Sequence, residues 1–186
     1  MRISSYVLAL TLSLAATSLF AAEGETLKLG DSGKITLQAP ATWQKKKPAI
    51  NFIEYEFAIP KAEGDESDGR VTVMGAGGSI AANVDRWIAQ FELDGKPLPK
   101  EKARIDKTKI GGLEVHLIDL SGTYKDQRGG PFAGGKTVML DDYRMLGAII
   151  DGGEQGNYFV KAYGPKKTMD AAEDAFKKMI ESVKLN

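Results

Sequence analysis

With one exception, the apolar segments between residues 35 and 164 repeat with the period of a strand, and short Gly-rich or polar turns join them. In "NFIEYEFAIP" Phe52, Glu54, Glu56 and Ala58 take one face, and Ile53, Tyr55, Phe57 and Ile59 take the other, as in a half-buried strand. Ile35 and Leu37 alternate likewise before Pro40. The polar tip "KAEGDESDG" links the first of these segments to "RVTVMGAGG", which predicts a hairpin with an acidic end. "ARIDKTKI" and "LEVHLIDLSGTY" flank a Gly111-Gly112 turn, and "RMLGAIID" and "NYFVKAYG" flank "GGEQG". Links this short leave no room for crossover helices, so the strands must pair antiparallel.

The exception is "SIAANVDRWIAQFEL". Its Ile80, Val84, Trp87, Ile88 and Phe91 form one helical stripe, with Ser79 as N-cap and Gly95 and Pro97 closing the far end. A second stripe ends the chain in "TMDAAEDAFKKMIESVKL", through Met169, Ala172, Phe176, Met179, Ile180 and Val183. Thr168 is its expected cap, with Asp170, Glu173 and Asp174 near the positive end of its dipole. Two one-sided helices and an antiparallel sheet must cover each other, which predicts an α+β fold with the sheet flanked by helices.

The N-terminus reads as a signal peptide over residues 1–21. Arg2 precedes the apolar "YVLALTLSLAATSLF", and cleavage is expected after Ala21 or Ala22. An apolar core of about 15 residues is short for a membrane span, and the polar "EGETLK" follows it. Residues 22–186 are then a single domain, with no further membrane span after cleavage. The chain has 25 basic and 25 acidic residues, and losing Arg2 leaves the remainder near −1. Nucleic acid and anionic membrane both select for a basic excess, so neither is an expected partner. "KKK" at Lys45 to Lys47 and the Lys166-Lys167 pair read as solvated turn charges.

In the order of its elements, and in "APATW", "ANVDRWIAQFE" and "NYFVKAYGPKKTMDAAEDAFKKMIESV", the chain resembles the PsbP-like superfamily, most of all its exported bacterial members. That resemblance implies an α/β/α sandwich whose members serve as binding or assembly modules. It carries over no catalytic residue, because none defines the superfamily, and fold alone does not transfer function.

Several motifs compete for chemistry. Gly130, Gly135, Lys136 and Thr137 satisfy the phosphate-loop pattern G-x-x-x-x-G-K-[ST]. A working phosphate loop needs a buried strand before it and a helix after it, whereas here "GTYKDQRG" is polar and the following segment pairs as a strand. The match is therefore read as a decoy, and no cofactor is expected. Ser79 ends "GAGGS", where it can cap a helix, help cradle an anion, or imitate a nucleophile elbow with Ala81 in the last glycine's place. A serine nucleophile needs a base, and the chain's one histidine, His116, sits in "LEVHLID" as a strand residue. There is no cysteine, so neither a disulfide nor a Cys/His metal cluster is available. The tip acids Glu63, Asp65, Glu66 and Asp68 fail calcium-loop spacing and read as a solvated turn, although a calcium role stays open.

Asp141, Asp142, Tyr143 and Arg144 place charge and an aromatic ring beside a Gly-rich link. With Ser79, the trio Asp142, Tyr143 and Arg144 forms the candidate binding set. The expected function is an exported, non-enzymatic binding or assembly module whose partner is another extracytoplasmic protein. A small-ligand or ion-binding extracytoplasmic protein is the alternative, and a serine hydrolase the remote one.

Overall fold

The computed structural model describes residues 24–127 and 136–186. The expected signal segment with Ala21 and Ala22, and the loop positions Gly130 and Gly135, lie outside the described residues. In chain order the elements are β1 Thr26–Leu29, β2 Ile35–Gln38, β3 Gln44–Lys46, β4 Tyr55–Ile59, β5 Gly69–Ala76 and α1 Ile80–Ile88. There follow β6 Phe91–Leu93, β7 Lys96–Pro97, β8 Arg104–Ile110, β9 Leu113–Gln127 and β10 Thr137–Asp151. The chain closes with β11 Asn157–Pro165, α2 Lys166–Glu181 and β12 Lys184–Leu185.

The main sheet runs β3-β4-β5-β11-β10-β9-β6-β7, and β8 also pairs with β9. Every pairing among the described residues is antiparallel. A small second sheet orders β1-β2-β12. The expected hairpins form in register: β4 on β5, β8 on β9 across Gly111 and Gly112, and β10 on β11.

Strand alternation sorts the apolar residues into two cores, one on each face of the sheet. Val84, Trp87 and Ile88 of α1 pack with Phe91, Ile118, Leu120, Met145, Ile149 and Phe159. On the other face, α2 lays Met169, Ala172, Phe176, Met179 and Ile180 against Val71, Val73, Leu146, Ala148, Ile150, Val160 and Ala162. The small sheet adds Leu27, Leu29, Ile35 and Leu37 to that second core. Residues 144–150 are buried on both faces, which explains why "MLGAII" is continuously apolar rather than alternating. Each fully buried Met, Leu or Ile among them contributes about 1.5–3 kcal/mol from apolar burial. Among the described residues no helix is long and apolar enough to cross a membrane.

Two helix boundaries differ from expectation. Ser79 does cap α1, its Oγ accepting the Ala82 N–H at 3.2 Å, but the helix stops at Ile88 instead of running through Phe91. Phe91 and Glu92 pair with Tyr124 and Thr123, and Asp94 and Gly95 both take positive φ in the turn to β7. An Asp-Gly pair is the preferred two-residue hairpin turn, and the sheet contacts it secures outweigh one more helical turn. Phe91 keeps its place in the core from a strand, fully buried.

Thr168 is likewise not the cap of α2, which begins two residues earlier after Pro165. Its orphan N–H is satisfied from the hairpin tip instead. Asp65 Oδ2 accepts the Thr168 N–H at 2.8 Å and the Thr168 hydroxyl at 2.5 Å. An anion at this end also meets the positive pole of the helix dipole.

At Gly147 α1 touches the sheet so closely that an added Cβ would lie 2.5 Å from Trp87 Cζ3. Gly147→Ala is expected to cost about 1–3 kcal/mol through overpacking. Gly77→Ala, whose Cβ meets nothing within 4 Å, is the near-neutral comparison. Urea unfolding of the two variants checks this, with the midpoint falling only in the first.

Candidate binding cleft

The residues singled out near the Gly-rich link meet at a β-bulge. Leu140 pairs with Tyr124 and Tyr143 with Gly122, so Asp141 and Asp142 together oppose Thr123 alone. Asp142 takes the extra position with φ 53°, a left-handed conformation that aspartate tolerates better than most residues. Asp141 Oδ1 accepts the Thr123 hydroxyl at 2.7 Å. Because of the inserted residue, Leu140 and Tyr143, three apart, both face the α1 side. Arg144, next along, turns to the α2 side.

Tyr143 thereby forms one wall of an open cleft of about 600 Å³. The hairpin tip from Gly64 to Asp68 forms the opposite wall, and Arg70, Asp126, Met139 and Tyr163 complete the lining. The tip is tied down at several points. Besides the Asp65 cap, Thr168 Oγ1 accepts the Ala62 N–H at 2.9 Å, and Lys167 Nζ donates to the Glu63 carbonyl at 3.0 Å. Lys61 N–H donates to Asp68 Oδ1 at 3.1 Å, and the Ser67 and Tyr143 hydroxyls bond across the cleft at 3.2 Å. Asp65 and Asp68 therefore have backbone-holding roles. Glu66 and Asp142 keep carboxylates that, among the described residues, have no hydrogen bond or ion pair. Beside them Met139 is 44% exposed.

Behind the cleft lies an aromatic cluster. Tyr143 stacks on Tyr124 at 6.1 Å, and Tyr124 meets Tyr163 at 4.9 Å. Lys161 of β11 places its Nζ 5.1 Å and 4.9 Å above those last two rings, donating to Gln90 Oε1 at 2.5 Å. Burial first, then the Arg70 and Arg86 charges, push this ammonium down to about 7, with Asp126 pulling the other way. Burial also raises Tyr124 well above its ordinary range. Arg70 forks onto Glu56 at 2.9 and 3.0 Å and donates to the Tyr163 hydroxyl at 3.1 Å, fixing the wall beside the cluster.

Arg144 is a clamp instead of an exposed anchor. Its side chain is 10% exposed and engages Asp119 of β9 at 2.9 and 2.7 Å, and Asp170 and Glu173 of α2 at 2.8 Å each. These bonds hold the guanidinium in its charged form. Hydrogen bonds from Lys177 and then Arg144 draw Glu173 down to about 2. The candidate trio is thus divided: Asp142 and Tyr143 belong to the cleft, while Arg144 ties two strands to α2 on the opposite face.

The remaining candidates lie elsewhere in the fold. Ser79 is engaged in its capping bond. His116 Nε2 sits 2.9 Å from Glu114 Oε1 in β9, a partner two residues away on the same strand face. Lys136 is exposed, and Thr137 opens β10, so a strand stands where a phosphate loop has its helix. No group of three or more His, Cys, Asp or Glu that could hold a metal occurs among the described residues. Sequence reading overlooked Lys161, Tyr124 and Tyr163, whose alternation with apolar neighbours on β9 and β11 was the available signal.

The layers define an antiparallel α/β/α sandwich with a helix on each face and an open cleft at one end of the sheet. Its particular fold is like that of a solved cyanobacterial PsbP. No protein-family model matches the chain, and no curated protein matches it by sequence. Among solved structures, cyanobacterial PsbP (CyanoP) from Synechocystis superposes with a TM-score of 0.51 at 10% identity, covering 94% of this chain and 98% of that one. A Bacteroides thetaiotaomicron structure matches at TM-score 0.48 and 12% identity over 88% of this chain, which spans 48% of that protein's length. The Saccharomyces cerevisiae Ran-binding protein Mog1p matches at TM-score 0.46 and 10% identity, with 87% and 94% covered. At 10% identity the likeness to cyanobacterial PsbP is one of fold alone.

Two measurements probe the charge arrangement. Arg144→Ala leaves Asp119 without its cation and takes one of two from Asp170 and Glu173, which keep Lys166 and Lys177, at an expected cost of about 2–4 kcal/mol, reduced from a fully buried pair because the acids are partly exposed. Lys177 keeps its larger share of the Glu173 contribution in the variant; the Arg144 share is present above the ordinary 4.5 and disappears as pH falls toward 2, so the gap between wild type and variant should narrow in urea unfolding at acid pH. For Lys161 the sign is reversed. Its lowered value penalises the folded state fully below about 7, and the penalty vanishes as pH rises to the ordinary 10.5. Lys161→Met should therefore raise the thermal midpoint at pH 7, and the gain should shrink toward pH 10.5.

Proposed function

We propose that this protein is an exported, non-enzymatic binding module that docks a basic segment of another extracytoplasmic protein in the cleft between the hairpin tip and the β10 bulge. The observation that carries this reading is the pairing of unengaged carboxylates, Glu66 and Asp142, with exposed Met139 and half-buried Tyr143 on walls already held in place. Preformed walls reduce the ordering cost of association. Tyr and Met are favoured contact residues at interfaces, and free carboxylates select a cationic partner while speeding its approach. Export rests on the leading Arg2 and apolar run, and the non-enzymatic reading rests on the structural duties of Ser79 and His116.

The test uses the mature chain as bait in host envelope extract. A partner captured by wild type should be lost at least tenfold with the Glu66→Lys/Asp142→Lys double variant and should fall off steeply with salt. It should persist with Glu101→Lys, an exposed reversal outside the cleft. Capture that is indifferent to the cleft reversals, or no saturable partner at low salt, would overturn the proposal.

A further inference from the structure

A second concavity, sharing no lining residue with the cleft, lies between α2 and the face of β8 that carries Arg104, Asp106, Thr108 and Ile110. It encloses about 360 Å³. Its floor is apolar, made by Ile110, Leu117, Leu146, Phe176 and Ile180. A cavity of about 150 Å³ is enough for a benzene ring, so this one has room for a ring and a short side arm. Size and apolar lining both match ordinary small-molecule sites.

The rim says what charge that arm carries. Asp106 pairs with Arg104 at 3.1 Å, and Asp119 and Glu173 both bond Arg144, with Lys177 also on Glu173 at 2.6 Å. Glu181 is the exception: among the described residues its carboxylate has no hydrogen bond or ion pair. It is also the last residue of α2, where the helix dipole is negative and disfavours a carboxylate. This unpaired anion stands at the mouth of an apolar groove. From this geometry we infer a binding site for a small organic cation with an aromatic or alkyl body. The body lies on Leu117, Phe176 and Ile180, and the ammonium pairs with Glu181, completing the rim's charge balance.

Two probes of equal bulk and opposite charge test this, 4-phenylbutylamine and 4-phenylbutyrate, followed through the methyl resonances of the mature protein. The amine should shift Ile110, Leu117, Leu146 and Ile180 saturably, at least fivefold more tightly than the carboxylate. Glu181→Gln should cut amine affinity about three- to tenfold without weakening the carboxylate. Thr108→Trp, which fills the groove from the edge strand, should abolish both sets of shifts. Equal affinity for the two probes, shifts centred on Met145 and Ile149 of the opposite face, or no saturable shift at 10 mM amine would each overturn the inference (these thresholds follow from about 1 kcal/mol for one exposed ion pair).

Discussion

One extra residue in β10 organises the cleft end of this molecule. Strand alternation would place Leu140 and Tyr143 on opposite faces, and the bulge at Asp141 and Asp142 brings them to the same one. It therefore also decides that Arg144 points to α2. There a single guanidinium serves carboxylates from β9 and α2, so helix and sheet are fixed at the same place where the strand changes phase. The Asp65 cap locks the hairpin tip to the first turn of the same helix. Cleft walls from three distant parts of the chain thus share one anchor, α2.

This construction separates structural charge from available charge. Most acids near the cleft and groove are committed to holding the fold. Asp65 caps a helix, Asp68 holds a backbone N–H, Asp141 holds Thr123, and Asp119 and Glu173 hold Arg144. The carboxylates without such commitments, Glu66 and Asp142 at the cleft and Glu181 at the groove, are those on which the proposed recognition rests. A count of acids does not make the distinction, because their net charge is the same either way. The buried Lys161 belongs to neither surface. It supports the tyrosine wall from behind, where ring faces and Gln90 offset part of its desolvation.

Features governed by neighbours in sequence are legible in the chain itself. The hairpin partners, the apolar faces of β4 and α2, and the Ser79 cap all follow from alternation, stripe or turn chemistry. The early end of α1 is legible too, since Asp94-Gly95 is a hairpin signal, but an apolar stripe through Phe91 outweighs it on the page. What is not legible depends on residues far apart in sequence. Asp65 lies 103 positions from Thr168, and Arg144 lies 25 or more from its partners. No local pattern announces such bonds. The bulge is equally silent, and without it Asp142, Tyr143 and Arg144 read as one patch when they serve two faces.

The central claim is that the acidic, tyrosine-walled cleft is where a partner protein docks. Site-specific photocrosslinking in the host, with benzoylphenylalanine replacing Met139 on the cleft, addresses it directly. Phe52, 62% exposed and outside the cleft lining, carries the same probe as the comparison. A discrete protein adduct from position 139 that is missing from position 52 is the predicted result. No adduct from position 139, or the same adducts from both positions, would contradict it.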